Sequence, residues 1–268
     1  MNESTSDREA GSKEPDYVGI NREGWTQANA QYTSKQAEGA WAQEEITWGK
    51  WSIPERELGV LPDVQGKDVV ELGCGTAYWG ARLKRAGAQR VVGVDVTPAQ
   101  LETARQMNEQ HGLGLELVEA NAEETGLPGE SFDLAFSEYG ASIWCDPAKW
   151  IPEAARLLRD GGELVFMRGS TLQLLCMPDE GKVGAQLVRP QKGIYRLEWY
   201  DDDPGVEFHP PMSEMLRILW DSGFELLDFR ELFAPDDAPD HEYYDTVPAE
   251  WAKRWPDEEI WRLRLRRR

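Results

Sequence analysis

Two hydrophobic periods alternate along the middle of the chain. Asp68-Val69-Val70-Glu71-Leu72 is a short apolar run that ends in glycines and reads as a strand. Trp79 to Ala86 carries helical spacing and stops at Gly87, and Arg90 to Val96 is the next strand. Thr97-Pro98-Ala99-Gln100 opens a second helix, with Thr97 as N-cap, Pro98 in the first turn and Gln100 completing a capping box. That helix runs to about His111, where Gly112 stops it. Leu115 to Glu119 and Phe132 to Ser137 are further strands; Asp146-Pro147 caps a helix that reaches Leu158. Arg159-Asp160-Gly161-Gly162 then turns the chain into the strand Glu163 to Arg168. Strands that alternate with helices predict a parallel sheet with helices on both faces.

The alternation breaks between Ser170 and Pro211. Ile194 to Tyr200 and Val206 to Phe208 flank Asp201-Asp202-Asp203-Pro204-Gly205, which reads as the turn of a hairpin inserted over the sheet's active edge. Met212 to Ser222 is a helix with Met215, Leu216, Leu219 and Trp220 on one face, followed by the strand Glu225 to Leu232. At the end, Trp261, Leu263 and Leu265 alternate with Arg262, Arg264 and Arg266, the pattern of a half-buried strand with a basic solvent face. Before the sheet, residues 1–20 lack apolar periodicity and read as a disordered leader. Residues 21–66 form a cap rich in aromatics (Trp25, Tyr32, Trp41, Trp48, Trp51), with helices over Thr26 to Gln36 and Glu38 to Glu45 and an extended stretch Ile46 to Ile53. Residues 67–268 make the α/β core, with 170–211 as its insertion.

Composition narrows the classes. A hydrophobic fraction of 40% supports a real core, and no apolar run is long enough to cross a bilayer, so a cytoplasmic protein without membrane partners is expected. Cys74, Cys145 and Cys176 are widely spaced, as are the three histidines, so neither a disulfide framework nor a metal site is expected. The formal net charge of −20 repels phosphate backbones and argues against a nucleic-acid partner. Oligomeric state is left open.

The chemistry gathers after the first core strand. Gly73 and Gly75 let the backbone turn sharply and approach a ligand, and Asp95 ends the second strand, where a carboxylate suits two ribose hydroxyls. Dinucleotide enzymes share this geometry, but their third glycine falls at Tyr78, and Glu71 places an acidic group close to the turn, whereas a pyrophosphate favours uncluttered helix N-terminal amides. A cationic, phosphate-free ligand suits the turn better.

On these residues the chain resembles the class I S-adenosylmethionine-dependent methyltransferases, in particular the small-molecule, type 11-like members. Glu71-Leu72-Gly73-Cys74-Gly75-Thr76-Ala77 is similar to their first motif, with Ala77 for the common third glycine, and Asp95 to their ribose-binding acid. Ala120-Asn121-Ala122-Glu123 resembles their adenine segment, with Asn121 where Asp is commoner; Ser131 to Ser137 resembles their fourth strand and Leu157 to Gly162 the turn before the fifth. The resemblance implies a Rossmann-like seven-stranded sheet with an antiparallel last strand. It also implies S-adenosylmethionine as cofactor and S-adenosylhomocysteine as product. Its implied cofactor contacts are Glu71, Gly73, Cys74, Gly75, Ala77, Asp95, Val96, Asn121, Ala122, Glu123 and Ser137, and the aromatic cap adds Tyr32 and Trp48, as a closing lid or as plain packing.

The implied reaction is in-line methyl transfer to a small-molecule acceptor, with Glu138, Tyr139 and His209 as candidate catalytic groups on the acceptor side. Ser137-Glu138-Tyr139-Gly140 stands where amide and base N-methyltransferases carry Asn-Pro-Pro-Tyr, which counts against those substrates. A non-catalytic cofactor-binding protein and a methyltransferase acting on a macromolecule are the alternatives, and a nicotinamide oxidoreductase is disfavoured by Tyr78 and Glu71.

Overall fold

The computed structural model describes residues 17–199, 205–241 and 246–267. The stretch Met1 to Asp16 of the expected leader and the hairpin tip Tyr200 to Pro204 lie outside the described residues.

The chain opens with α1 (Tyr17–Ala28), a π-helical turn (Asn29–Thr33) and α2 (Ser34–Ala42), one continuous helical run. The helix thus begins inside the stretch read as leader, and no break separates the two expected cap helices. A two-residue ladder, β1 (Thr47–Trp48) with β2 (Ile53–Pro54), and the short α3 (Glu55–Leu58) lead into the core. There follow β3 (Asp68–Leu72), α4 (Tyr78–Arg85), β4 (Arg90–Asp95), α5 (Pro98–His111), β5 (Glu116–Glu119), β6 (Phe132–Glu138), α6 (Ala141–Trp144), α7 (Pro147–Leu157) and β7 (Leu158–Gly169). The last third holds α8 (Thr171–Cys176), the hairpin β8 (Arg196–Trp199) and β9 (Gly205–Phe208), α9 (Met212–Asp221), β10 (Phe224–Leu232), α10 (Ala249–Ala252) and β11 (Glu258–Leu265).

Seven strands form one sheet in the order β10-β11-β7-β6-β3-β4-β5. All neighbours from β7 to β5 run parallel, and β11 lies antiparallel between β10 and β7. The period-two alternation explains the two cores. Val69, Val91, Leu134, Phe136, Val165 and Met167 face α4, α5 and the N-terminal segment; Val70, Val92, Ala135, Leu164 and Phe166 face α7 and α9.

Several local expectations need correction. Thr97 is the N-cap residue of α5, but its side chain makes no capping bond, and Gln100 turns instead toward Thr33. On α9 only Met215 and Leu219 are buried; Leu216 and Trp220, the other half of its apolar face, are exposed. The alternation of β11 holds, with Trp261, Leu263 and Leu265 buried between half-buried Arg262 and Arg264, but both arginines are ion-paired to Glu163, at 2.7 and 3.0 Å, and past the strand the exposed Arg266 binds Glu225. By contrast the Asp146 cap forms as expected, accepting the Ala148 N–H at 3.0 Å. No helix among the described residues is long and apolar enough to cross a membrane.

Candidate active site

β3 feeds a turn in which alternate residues adopt left-handed backbone: Gly73 at φ 73°, Gly75 at 53° and Ala77 at 58°. Gly73 has no room for a side chain, because a Cβ would stand 2.5 Å from the Ala141 nitrogen and 2.7 Å from Gly140 Cα. A Cβ on Gly140 would in turn collide with the Gly73 carbonyl. The turn after β3 and the turn after β6 are therefore in backbone contact. Gly75 differs: its open face meets only the Gln100 side chain, at 3.6 Å.

Asp95 closes one side of this turn. Its Oδ2 accepts the Gly75 N–H and its Oδ1 the Thr97 N–H, both at 2.8 Å. Each oxygen keeps a lone pair for another donor. Burial pushes the carboxyl above its usual range, against the pull of those N–H bonds. Glu71 is buried below the turn and accepts the Gly80 N–H in the first turn of α4, at 2.8 Å. Burial raises it well above the usual carboxylate range, and the charges of Glu138 and Asp95 push the same way. Glu138 ends β6, accepts the Tyr78 hydroxyl at 2.6 Å and is also raised by burial. Three carboxylates thus surround the turn, each more costly to ionise than in water. A cationic ligand would lower that cost and a pyrophosphate would increase it, so the donor set fits a sulfonium cofactor.

The other expected cofactor residues are spread around the same end of the sheet. Cys74 is buried, and a Cβ on Gly93 would stand 2.9 Å from its sulfur, so the thiol fills the interior next to β4. Val96 follows Asp95, and its carbonyl accepts the Arg22 guanidinium at 3.1 Å. Asn121 turns its Oδ1 onto the Glu123 N–H, and Ala122 is buried beside it. Glu123 is committed elsewhere: it accepts the Tyr17 hydroxyl at 2.8–2.9 Å and the Asp146 N–H at 2.8 Å. Ser137 is fully buried, donating to the Leu72 carbonyl at 2.8 Å and accepting from the Ser142 N–H. It ties β6 to β3.

The aromatic cap divides in two. Trp48 is completely buried, with its ring 4.6 Å from Trp79 and 5.7 Å from Phe136, so it belongs to the core and not to a lid. Trp51 likewise packs with Val247 and Trp251. Tyr32 is half-buried on the π-helical turn, one residue before Thr33, which faces Gln100 of α5. Trp25 stands edge-on to Trp144 at 5.3 Å.

Sequence reasoning missed that α1 roofs the carboxyl end of the sheet. Tyr17 reaches Glu123 after β5, Arg22 reaches Val96 after β4, and Asn29 donates to Ala99 of α5. Asn21, itself buried, donates to the carbonyls of Trp144 in α6 and Val206 in β9 and accepts the Val206 N–H at 2.7 Å. One side chain joins the roof, the rim of β6 and the hairpin.

On the acceptor side His209 needs correction as a candidate base. It is buried, with Nδ1 3.0 Å from Arg168 and Nε2 2.7 Å from Glu207. Arginine can only donate, so Nδ1 accepts and the proton sits on Nε2, facing Glu207. No lone pair is left for a substrate, and burial lowers the imidazole below its usual range. Tyr139, at φ 53°, sends its hydroxyl to Glu258 at 2.5 Å. Glu258 and Arg168 were not anticipated; an acidic run, Asp257-Glu258-Glu259, opening a buried strand was the available signal.

A mostly parallel sheet with a glycine turn after its central strand and an acid ending the next defines a Rossmann-like cofactor-binding fold. Residues 70–166 match the family described as a methyltransferase domain. Phosphatidylethanolamine N-methyltransferase of Cereibacter sphaeroides is 32% identical over 190 residues, which cover 65% of this chain and 88% of that protein. The chain belongs to the class I S-adenosylmethionine-dependent methyltransferases, and S-adenosylmethionine is its cofactor. Malonyl-(acyl-carrier protein) O-methyltransferase of Serratia marcescens is 32% identical over 115 residues, 42% of this chain and 43% of that one. The chain thus spans under half the length of such curated relatives. The crystal structure of an S-adenosylmethionine-dependent methyltransferase from Mesorhizobium loti superposes with a TM-score of 0.62 at 24% identity, over 77% of this chain and 94% of that chain, and shows the shared fold.

Proposed function

We propose that this methyltransferase acts on a small-molecule acceptor, by in-line displacement at the carboxyl end of β3, β4 and β6. The observation that carries this reading is the roof: Asn21 bonds α1 to α6 and to the hairpin, across the rim that an acceptor must reach. A rim covered in this way favours an acceptor that can be enclosed over one that must dock as a large surface. The net charge of −20 and the ion-paired arginines of β11 support the same reading over a nucleic-acid acceptor, and with it an aqueous, cytoplasmic setting.

Bound here, S-adenosylmethionine supplies a methyl group on a sulfonium that departs as a neutral thioether. The chain's own residues then have three tasks. Asp95 and Asn121 hold the nucleoside end, and the Gly73–Gly75 turn admits the amino-acid end among carboxylates. The roof α1 excludes water, which lets alignment lower the barrier. Glu138 and Tyr139 face the acceptor from the end of β6. In this reading residues 21–66 are a cap and 170–211 the acceptor-side insertion.

The test is calorimetric binding of S-adenosylmethionine followed by labelled methyl transfer to a metabolite panel, to phosphatidylethanolamine vesicles and to acyl-carrier protein. Turnover with a free metabolite supports the reading. Turnover confined to vesicles or carrier protein overturns it, as does binding without any transfer, which favours a non-catalytic cofactor protein.

A further inference from the structure

The rim of β6 and the start of β11 enclose a group of ionisable side chains that the cofactor turn does not use. Glu258 is completely buried, at 0% exposure, on the same face of the sheet as Ile260 and Met167. An apolar residue would be the neutral choice there. Its Oε1 accepts the Tyr139 hydroxyl at 2.5 Å and the Lys50 N–H at 2.9 Å. Its Oε2 is buried without a hydrogen-bond partner. The nearby ammonium acts on it only through space, because Lys50 Nζ makes its direct contacts with Asp257, 3.0 and 2.9 Å from its two oxygens, and Asp257 Oδ2 also accepts the Trp51 indole N–H. The chain is shaped around this carboxylate, for a Cβ at Gly49 would lie 2.6 Å from the Glu258 carboxyl carbon.

Tyr139 carries the second observation. It follows Glu138 directly, at the rim where the acceptor must lie, and holds φ 53°, a region that bulky side chains avoid. Strain of this kind persists where the surroundings enforce it and concentrates at working sites. Here the enforcing contacts are the Tyr139 N–H to the Met167 carbonyl, at 3.1 Å, and the phenol to Glu258. An incompletely satisfied buried carboxylate, bonded to a strained tyrosine at a reaction rim, is poorly explained by stability alone.

We propose that Glu258 is a positioning residue for methyl transfer, holding the Tyr139 hydroxyl toward the acceptor and taking up its proton as Tyr139 receives the acceptor's own. The inference rests on the proposed methyl transfer to a small-molecule acceptor and adds that this acceptor gives up a proton. In the step, the acceptor heteroatom forms its bond to the methyl carbon as the sulfur–methyl bond breaks, and that electron pair stays on sulfur. The acceptor's proton passes to the Tyr139 oxygen and the phenolic proton to Glu258, so the carboxylate ends neutral and the sulfonium charge is cancelled. The groups facing Glu258 are Tyr139, Lys50 and Asp257. Burial first, and then the charge of Asp257, place its carboxyl at about 7, while Lys50 pulls the other way. Such a group can accept a proton and release it near neutrality.

Two measurements on the full-length protein test this. The first is difference infrared spectroscopy of the protein with S-adenosylhomocysteine, following the protonated-carboxyl band from pH 5 to 9 in wild type, Glu258→Gln and Tyr139→Phe. A band that titrates near pH 7, disappears in Glu258→Gln and moves in Tyr139→Phe supports the pair. A Glu258 ionised throughout that range overturns the proposal whether or not an acceptor is known. The second is kinetic, with any acceptor that wild type methylates. Glu258→Gln should lower kcat at least tenfold with KM within twofold and remove the acidic limb of the pH profile. Adding Tyr139→Phe should cost little more, because the two act as a unit. Unchanged kcat and an unchanged acidic limb in a folded Glu258→Gln overturn the proposal. If wild type methylates nothing, the acceptor reading fails separately, and the infrared result alone decides the pair.

Discussion

Removing the Asp95 carboxylate separates two roles that one side chain combines. In the structure its two oxygens accept the N–H groups of Gly75 and Thr97, each at 2.8 Å. A bond to a charged acceptor contributes about 1.5–3 kcal/mol. Asp95 is only half-buried, so water can partly replace it in Asp95→Ala, and the lower end applies. The burial that raises the carboxyl offsets part of that gain, so the expected loss of folding stability is about 1–3 kcal/mol. The remaining lone pairs suit the ribose hydroxyls, and losing those bonds should weaken cofactor binding by about 2 kcal/mol or more, roughly thirtyfold in Kd. Urea denaturation measures the first quantity. Calorimetry with S-adenosylmethionine, at a temperature where the variant is folded, measures the second. Lower stability with unchanged affinity would refute the cofactor role and leave Asp95 as a turn-holding residue only.

Four further outcomes follow from the same geometry. Trp48→Ala should cost about 3–5 kcal/mol in denaturant unfolding, because its ring is fully buried against Trp79 and Phe136, and a lid role would predict far less. Asn21→Ala removes three hydrogen bonds between the roof, α6 and β9, and amide exchange should speed up in both α1 and β9 if the side chain couples them. Ala77→Val places a β-branched residue at φ 58° in a fully buried position and should destabilise by about 2 kcal/mol or more, read as a lowered urea midpoint. Glu258 has a folded pKa of about 7, above its unfolded value, so its proton is held by the folded state alone between the two. Its contribution to stability is lost as pH rises through about 7, and Glu258→Gln should flatten that part of the stability–pH curve.

The sheet was legible because β3, β4 and β6 are apolar on both faces and bounded by glycine or proline, and the Gly73–Ala77 turn because its residue types follow from backbone geometry. The roof was not. The buried side of α1 includes Asn21 and Gly24, so it is anchored largely by hydrogen bonds that leave no apolar stripe to read. On α9 the apolar positions outnumber the buried ones, and spacing alone could not say that Trp220 faces outward. Asp257, Glu258 and Glu259 look like a solvated run, and only the antiparallel insertion of β11 beside β7 shows them buried. His209 was drawn into the candidate set by its position after the hairpin. Its exclusion needed the partner of each ring nitrogen, and no sequence supplies that.

The backbone contact between Gly73 and Gly140 has a consequence for how acceptor preference can change. With no side chain at either position, the donor turn and the turn after β6 meet main chain to main chain, so a substitution at either one would push the two turns apart. Altered specificity therefore has to be sought in α1, in the hairpin and in the segment that joins α8 to it. Exchange of those parts between related chains should transfer acceptor choice while leaving donor affinity nearly unchanged, which makes the molecule a scaffold with a replaceable upper storey.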